Sequence, residues 1–240
     1  MKVRVLFLAT ALLMASSATN ANDRLKNVPI PERSESAIGF VPDGWYIEKS
    51  VVGDLNKDGL ADLAIIIRQN DPSLIIESDG FGRDTYDCNP RTILVLLKES
   101  GGGYLQIARN DQIIPVPGSA TMDDPIDNAS DGSLTIKNGV LRLNIHFWSS
   151  AGTWFMFNRT FSFRMQGAQL VLIGYDNYHV HRGSGELKTV SINYLTRRMK
   201  TENGSIEDEH VPEMWSKIRR KPLIPFASIG DGYDFDPDDY

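Results

Sequence analysis

The 240-residue chain carries 31 acidic and 25 basic residues, for a formal net charge of −6 and a pI near 5.2. That balance argues against nucleic acid or an anionic membrane surface as a partner and would steer a basic protein toward the chain. Cys88 stands alone, which excludes an intrachain disulfide and leaves core packing, or a metal, to stabilise the fold. A lone cysteine of this kind is expected as a small buried hydrophobe.

Met1-Lys2-Val3-Arg4 is followed by an apolar run from Val5 to Ala15 and then by small residues ending at Ala18 or Ala21. A basic start, a short apolar stretch and small residues before a cleavage point read as a signal peptide over 1–21, with the product periplasmic or secreted. Nothing later approaches the roughly 18 apolar residues that a membrane-spanning helix needs, so the chain is not expected to span a membrane. Residues 22–35, with Pro29 and Pro31, read as an extended lead-in, residues 36–229 as a single all-β domain and residues 230–240 as an acidic tail.

Gly39-Phe40-Val41-Pro42-Asp43-Gly44-Trp45-Tyr46 brings in the first strand, which runs toward Val52 and ends at a loop that reads Asp54-Leu-Asn56-Lys-Asp58-Gly59-Leu60-Ala-Asp62. Side-chain oxygens at positions 1, 3, 5 and 9, with Gly at position 6, suit a chain wrapped around a hard cation. Ca²⁺ takes six to eight oxygens at about 2.3–2.6 Å. Asp54, Asn56, Asp58, the Leu60 carbonyl and Asp62 are the candidate ligands, with water completing the shell. The residue where an EF-hand would place its bidentate Glu is Ile65, inside the apolar run Leu63 to Ile67, so the loop leads into a strand buried on both faces. This D-x-N-x-D-G-x-x-D loop between strands resembles the calcium loop of FG-GAP and integrin-type β-propeller repeats, and implies a propeller-like or incomplete propeller fold with structural calcium. The motif occurs once, whereas a full propeller of that type carries several.

Asn70 to Pro90 is polar and reads as a long surface loop. Thr92–Leu97 and Tyr104–Ala108 flank a Gly-rich turn and read as a hairpin. A Pro- and Asp-rich linker from Ile114 to Asp131 leads to Leu134–Ile136, the turn Asn138-Gly139, and an alternating strand to Phe147. Phe155, Phe157, Phe161, Phe163 and Met165 share one face of the next strand, interrupted by Arg159. Leu170–Tyr175 and Leu187–Leu195 supply further strands. Only Pro212–Lys221, with Met214, Trp215 and Ile218, has helical spacing, so a short C-terminal helix is expected there. The tail, with five carboxylates between Asp231 and Asp239, is expected to be solvated.

Reaction chemistry is not written into the chain. His179 and His181 point the same way on a strand but lack a third ligand nearby, and the nucleophile, phosphate-loop and zinc-protease motifs are absent. The chain is therefore not expected to be an enzyme, although two carboxylates distant in sequence leave an unrecognised hydrolase open. The stretch Trp148-Ser149-Ser150-Ala-Gly152-Thr153-Trp154 places aromatic rings beside small hydrogen-bonding groups in a turn between two strands, a mixture that protein-binding surfaces favour. Ser149, Ser150, Gly152, Thr153 and Trp154 are the candidate partner-binding residues.

The order G-F-x-P-x-G-W, the D-x-N-x-D-G loop, the Asn-Gly hairpin, Phe161-x-Phe163-Arg164, L-x-L-I-G-Y-D from Leu170 and Ser191-Ile-Asn-Tyr194-Leu-Thr196 is similar to bacterial secreted proteins that include periplasmic immunity proteins against type IV secreted peptidoglycan hydrolases. These resemble lysozyme inhibitors in outline. The resemblance implies a loop that fills the cleft of a basic cell-wall hydrolase. The inhibitors' S-G-x-x-Y loop is replaced here by Ser150-Ala-Gly152-Thr153-Trp154. An envelope adhesion or scaffold module with structural calcium is the other binding role open to such a chain.

Overall fold

The computed structural model describes residues 28–126 and 132–239, so the signal-peptide reading of 1–21 lies outside the described residues. Alternating and continuous apolar runs become strands of two open antiparallel sheets. The first sheet contains β1 (Arg33–Ser34), β2 (Trp45–Gly53), β3 (Asp62–Gln69), β6 (Arg91–Lys98) and β7 (Tyr104–Asn110), in the order β1-β7-β6-β3-β2. The second is a meander of β8 (Leu134–Lys137), β9 (Val140–Phe147), β10 (Phe155–Gln166), β11 (Gln169–His181), β12 (Glu186–Asn193), β13 (Arg198–Ser205) and β14 (Glu213–Lys217). Every pairing in both sheets is antiparallel, neither sheet closes on itself, and the described helical turns are 3₁₀ segments of three or four residues. The class is all-β.

The continuous run of β3 is buried on both faces because the first sheet has apolar cover on each side. Ala64 and Ile66, with Ile93 and Val95 of β6, face the main core, where Leu143, Phe161 and Phe163 of the second sheet meet them. Leu63, Ile65 and Ile67 face a smaller cluster closed by Phe40 and Trp45. Burying side chains of this size is worth about 1.5–3 kcal/mol each.

The two sheets touch where β2 ends. A Cβ on Gly53 would lie 2.3 Å from the Ile136 side chain of β8, so only glycine allows this approach. The Asn138-Gly139 turn joining β8 to β9 has φ of 55° and 75°, the left-handed pair that a two-residue hairpin requires. This turn rests against Leu55 and Lys57, so the Asp54–Asp62 loop lies at the joint between the sheets.

Three regions depart from the sequence reading. Residues 213–217 form strand β14 rather than a helix, with all five residues exposed. A single helix of some ten residues is marginal on its own, and pairing with β13, as in Lys200 with Trp215, satisfies the backbone instead. Within the 70–90 loop, β4 (Ile75–Glu77) and β5 (Thr85–Asp87) form a two-stranded ribbon. The tail is anchored rather than solvated: Phe235 is buried against Phe161 and Tyr175. Arg159 is what holds it, donating through Nη1 to the carbonyls of Gly232, Tyr233 and Phe235 at 2.8, 2.7 and 3.2 Å. The charge that interrupts the apolar face of β10 is thus spent on backbone carbonyls, not on an acid.

A buried ion network braces the first sheet. Arg91 donates to both oxygens of Glu48 at 2.7 and 2.8 Å and to Asp124 at 2.6 Å, while Arg68 reaches Glu48 at 3.1 Å and Asp87 at 3.0 Å. Asp124 belongs to the Pro- and Asp-rich linker, which is thereby tied to β6 and β2. Cys88 is half-buried, and its burial, with Asp87 beside it, pushes the thiol upward and away from reactivity.

Candidate functional site

Two loops hold the residues singled out in the sequence. In the first, the Asp54 carboxylate sits inside the turn and accepts the backbone N–H groups of Lys57 at 2.6 Å, Asp58 at 3.2 Å and Gly59 at 3.0 Å. Asn56 Oδ1 accepts from Asp58 N at 3.1 Å, Asn56 Nδ2 donates to Asp58 Oδ2 at 2.8 Å, and Asp58 Oδ1 accepts from Leu60 N at 2.7 Å. Short polar side chains that bond the backbone two to five residues on are what fold such a turn. Lys57 and Gly59 take the left-handed backbone this tight winding needs.

Asp62 plays a different part. It is fully buried; Oδ2 accepts Leu55 N at 2.7 Å and Oδ1 accepts Lys98 N at 2.9 Å, which joins the start of the loop and the end of β6 to the first residue of β3. Burial pushes its carboxyl above the usual carboxylate range, with Asp58 adding to the effect, while the backbone N–H groups oppose it. Asp54, Asn56 and Asp58 are hard oxygen donors whose oxygens keep lone pairs beyond those the turn consumes, and that chemistry suits Ca²⁺. Asp62 spends one lone pair of each oxygen on the fold and keeps the other.

The second loop joins β9 to β10 at one end of the meander. Ser150, Gly152 and Trp154 are exposed, Thr153 is half-buried, and the Trp154 ring is 63% exposed. Ser149 is buried; its hydroxyl donates to the Ala151 carbonyl at 2.6 Å and lies in hydrogen-bond contact with Thr121 Oγ1 at 2.9 Å. Ser149 therefore shapes the loop from below. Arg182, just past β11, closes its base: Nη2 donates to the carbonyls of Ser149 at 2.6 Å and Thr153 at 2.9 Å, and its backbone N–H donates to the Trp154 carbonyl at 2.8 Å. The same guanidinium lies 4.9 Å from the Trp148 ring centre, and Trp148 is half-buried where Trp154 is exposed. Ser150 N donates to Thr121 O at 2.9 Å, and Asp123 N to Trp148 O at 3.0 Å, which ties the loop to the linker that carries Asp124.

His179 and His181 do share a face, and their rings flank Phe155 at 5.1 and 4.9 Å. Beside Trp148 a shallow groove of about 330 Å³ is lined by Asp123, His146, Met156 and Asn158. Arg182, Thr121 and Arg159 are the residues that sequence reasoning missed. Each acts on atoms at least 28 residues away, and no local spacing marks such a role.

No protein-family model, curated protein or solved structure matches the chain. Among the described residues no helix is long and apolar enough to cross a membrane.

Proposed function

We propose that the chain is an exported, calcium-stabilised β protein that binds and inhibits a cell-wall lytic enzyme through the loop from Ser150 to Trp154. The observation that carries this reading is a preorganised loop: a tryptophan held outward on a short turn whose base is fastened by Arg182 and Thr121. Ordering a loop in advance removes part of the entropic cost of binding. Exposed aromatic rings ringed by small polar groups are common anchors of protein interfaces. The net charge of −6 supports a basic partner, whose approach it would accelerate.

In this reading Asp54, Asn56, Asp58 and Asp62, with the Leu60 carbonyl and water, hold Ca²⁺, and Asp62 also braces the loop from below. The ion supplies a structural clip at the joint between the sheets. The propeller-like arrangement implied by the FG-GAP resemblance belongs to the same reading and draws support from the loop's place between consecutive antiparallel strands.

The test is to titrate the purified protein into a panel of lysozymes and bacterial muramidases while following the clearing of cell-wall suspensions. At least one enzyme is expected to lose lytic activity in proportion to added protein, and Trp154→Ala is expected to relieve that inhibition without unfolding the chain. Full lytic activity across the panel overturns the reading.

A further inference from the structure

The acidic balance of the whole chain conceals one strongly cationic recess. Between the β12–β13 turn and the segment after β14 lies a cavity of about 400 Å³ whose lining includes Leu195, Arg197, Ile218, Arg219, Arg220 and Leu223. No acidic side chain lines it. Two backbone bonds hold its walls: Ile218 N donates to Arg197 O at 3.1 Å, and Leu172 N to Ile224 O at 2.8 Å, which returns the segment to β11.

The guanidinium groups of Arg197, Arg219 and Arg220 have neither an ion pair nor a hydrogen bond among the described residues, and all three residues are exposed. Other arginines of this molecule are spent on carboxylates, carbonyls or rings, among them Arg68, Arg91, Arg159 and Arg182, whereas here three unpartnered ones line a single recess. Three like charges around one recess repel one another, a cost that an anion removes. Arg197 also adopts φ of 56°, a left-handed backbone uncommon outside glycine, which turns the chain at the rim. The rest of the lining includes apolar side chains, and Leu195 among them stays 40% exposed.

We infer that this recess binds a phosphate ester that carries an apolar group, with Arg197, Arg219 and Arg220 on the phosphate and Leu195, Ile218 and Leu223 against the hydrocarbon. Arginine's planar fork matches phosphate oxygens two at a time, and the volume is that of a small-molecule site. The same chemistry is offered by a soluble phosphate ester and by a lipid headgroup. This site lies outside the Ser150–Trp154 loop and does not depend on inhibition of any hydrolase.

The experiment is calorimetric titration of the full chain with phenyl phosphate and with inorganic phosphate, alongside cosedimentation with phosphatidylcholine vesicles with and without phosphatidylglycerol. Single-site binding of phenyl phosphate, tighter than inorganic phosphate and weakened at least about tenfold in R219A/R220A, is the expected result for a soluble ligand. Cosedimentation only with phosphatidylglycerol vesicles, lost in the same variant, is the expected result for a headgroup. Absence of both, or binding that the variant keeps, overturns the inference. Should the double variant lower the Tm, R197G decides, because glycine accepts the left-handed backbone and removes only the cation.

Discussion

The two loops differ in what holds them. The Asp54–Asp62 loop is wound by its own side chains, each bonding backbone a few residues away. The Ser149–Trp154 loop is held by Arg182 and Thr121, which come from another strand end and from the linker. A loop that folds itself presents its own oxygens and is suited to a small ion. A loop fastened from outside keeps its side chains free for a large partner.

Replacing Asp62 with alanine would most damage the self-wound loop, since two buried N–H groups lose their acceptor; a loss of about 3 kcal/mol is expected in denaturant unfolding. Calcium comes next: at a hundredfold excess over Kd it should add about 2.7 kcal/mol, seen as a higher Tm that a chelator reverses and that D54A/D58A abolishes. A Tm indifferent to chelator would mean that the loop's own hydrogen bonds suffice. For the fastened loop, R182A should cost about 2 kcal/mol and speed hydrogen exchange across residues 149–154 while leaving residues 54–62 protected.

Acid should separate the loops further. Burial raises the Asp124 carboxyl, but the Arg91 guanidinium outweighs it and holds the group below its ordinary 3.8. Its stabilising contribution is therefore complete above 3.8 and is lost as pH falls through the depressed value. Because its linker carries Thr121, exchange at residues 149–154 should rise over that window in the wild type, and D124N should flatten the response. The smallest effect on stability is expected for W154A, within about 0.5 kcal/mol, because the ring is mostly in water; under the proposed function its effect falls on inhibition instead.

This contrast also explains what was legible in the sequence. Period-two alternation and the Asn-Gly turn identify β8 to β10, and the double burial of β3 follows from its unbroken apolar run. The metal-like loop was readable because its geometry is local. Strand β14 was misread because Met214, Trp215 and Ile218 fit a helical stripe, and pairing to β13 is invisible without the partner strand. Arg159 was noticed as an interruption, yet its role depends on carbonyls more than 70 residues downstream.

That Arg159 clamp bears on the order in which the chain can mature. Phe226, Ile229 and Phe235 all enter the main cluster, so the part of the core they close stays open until that segment has docked. Sealing waits for residues 232–235 to reach β10, a contact that spans more than 70 residues of chain.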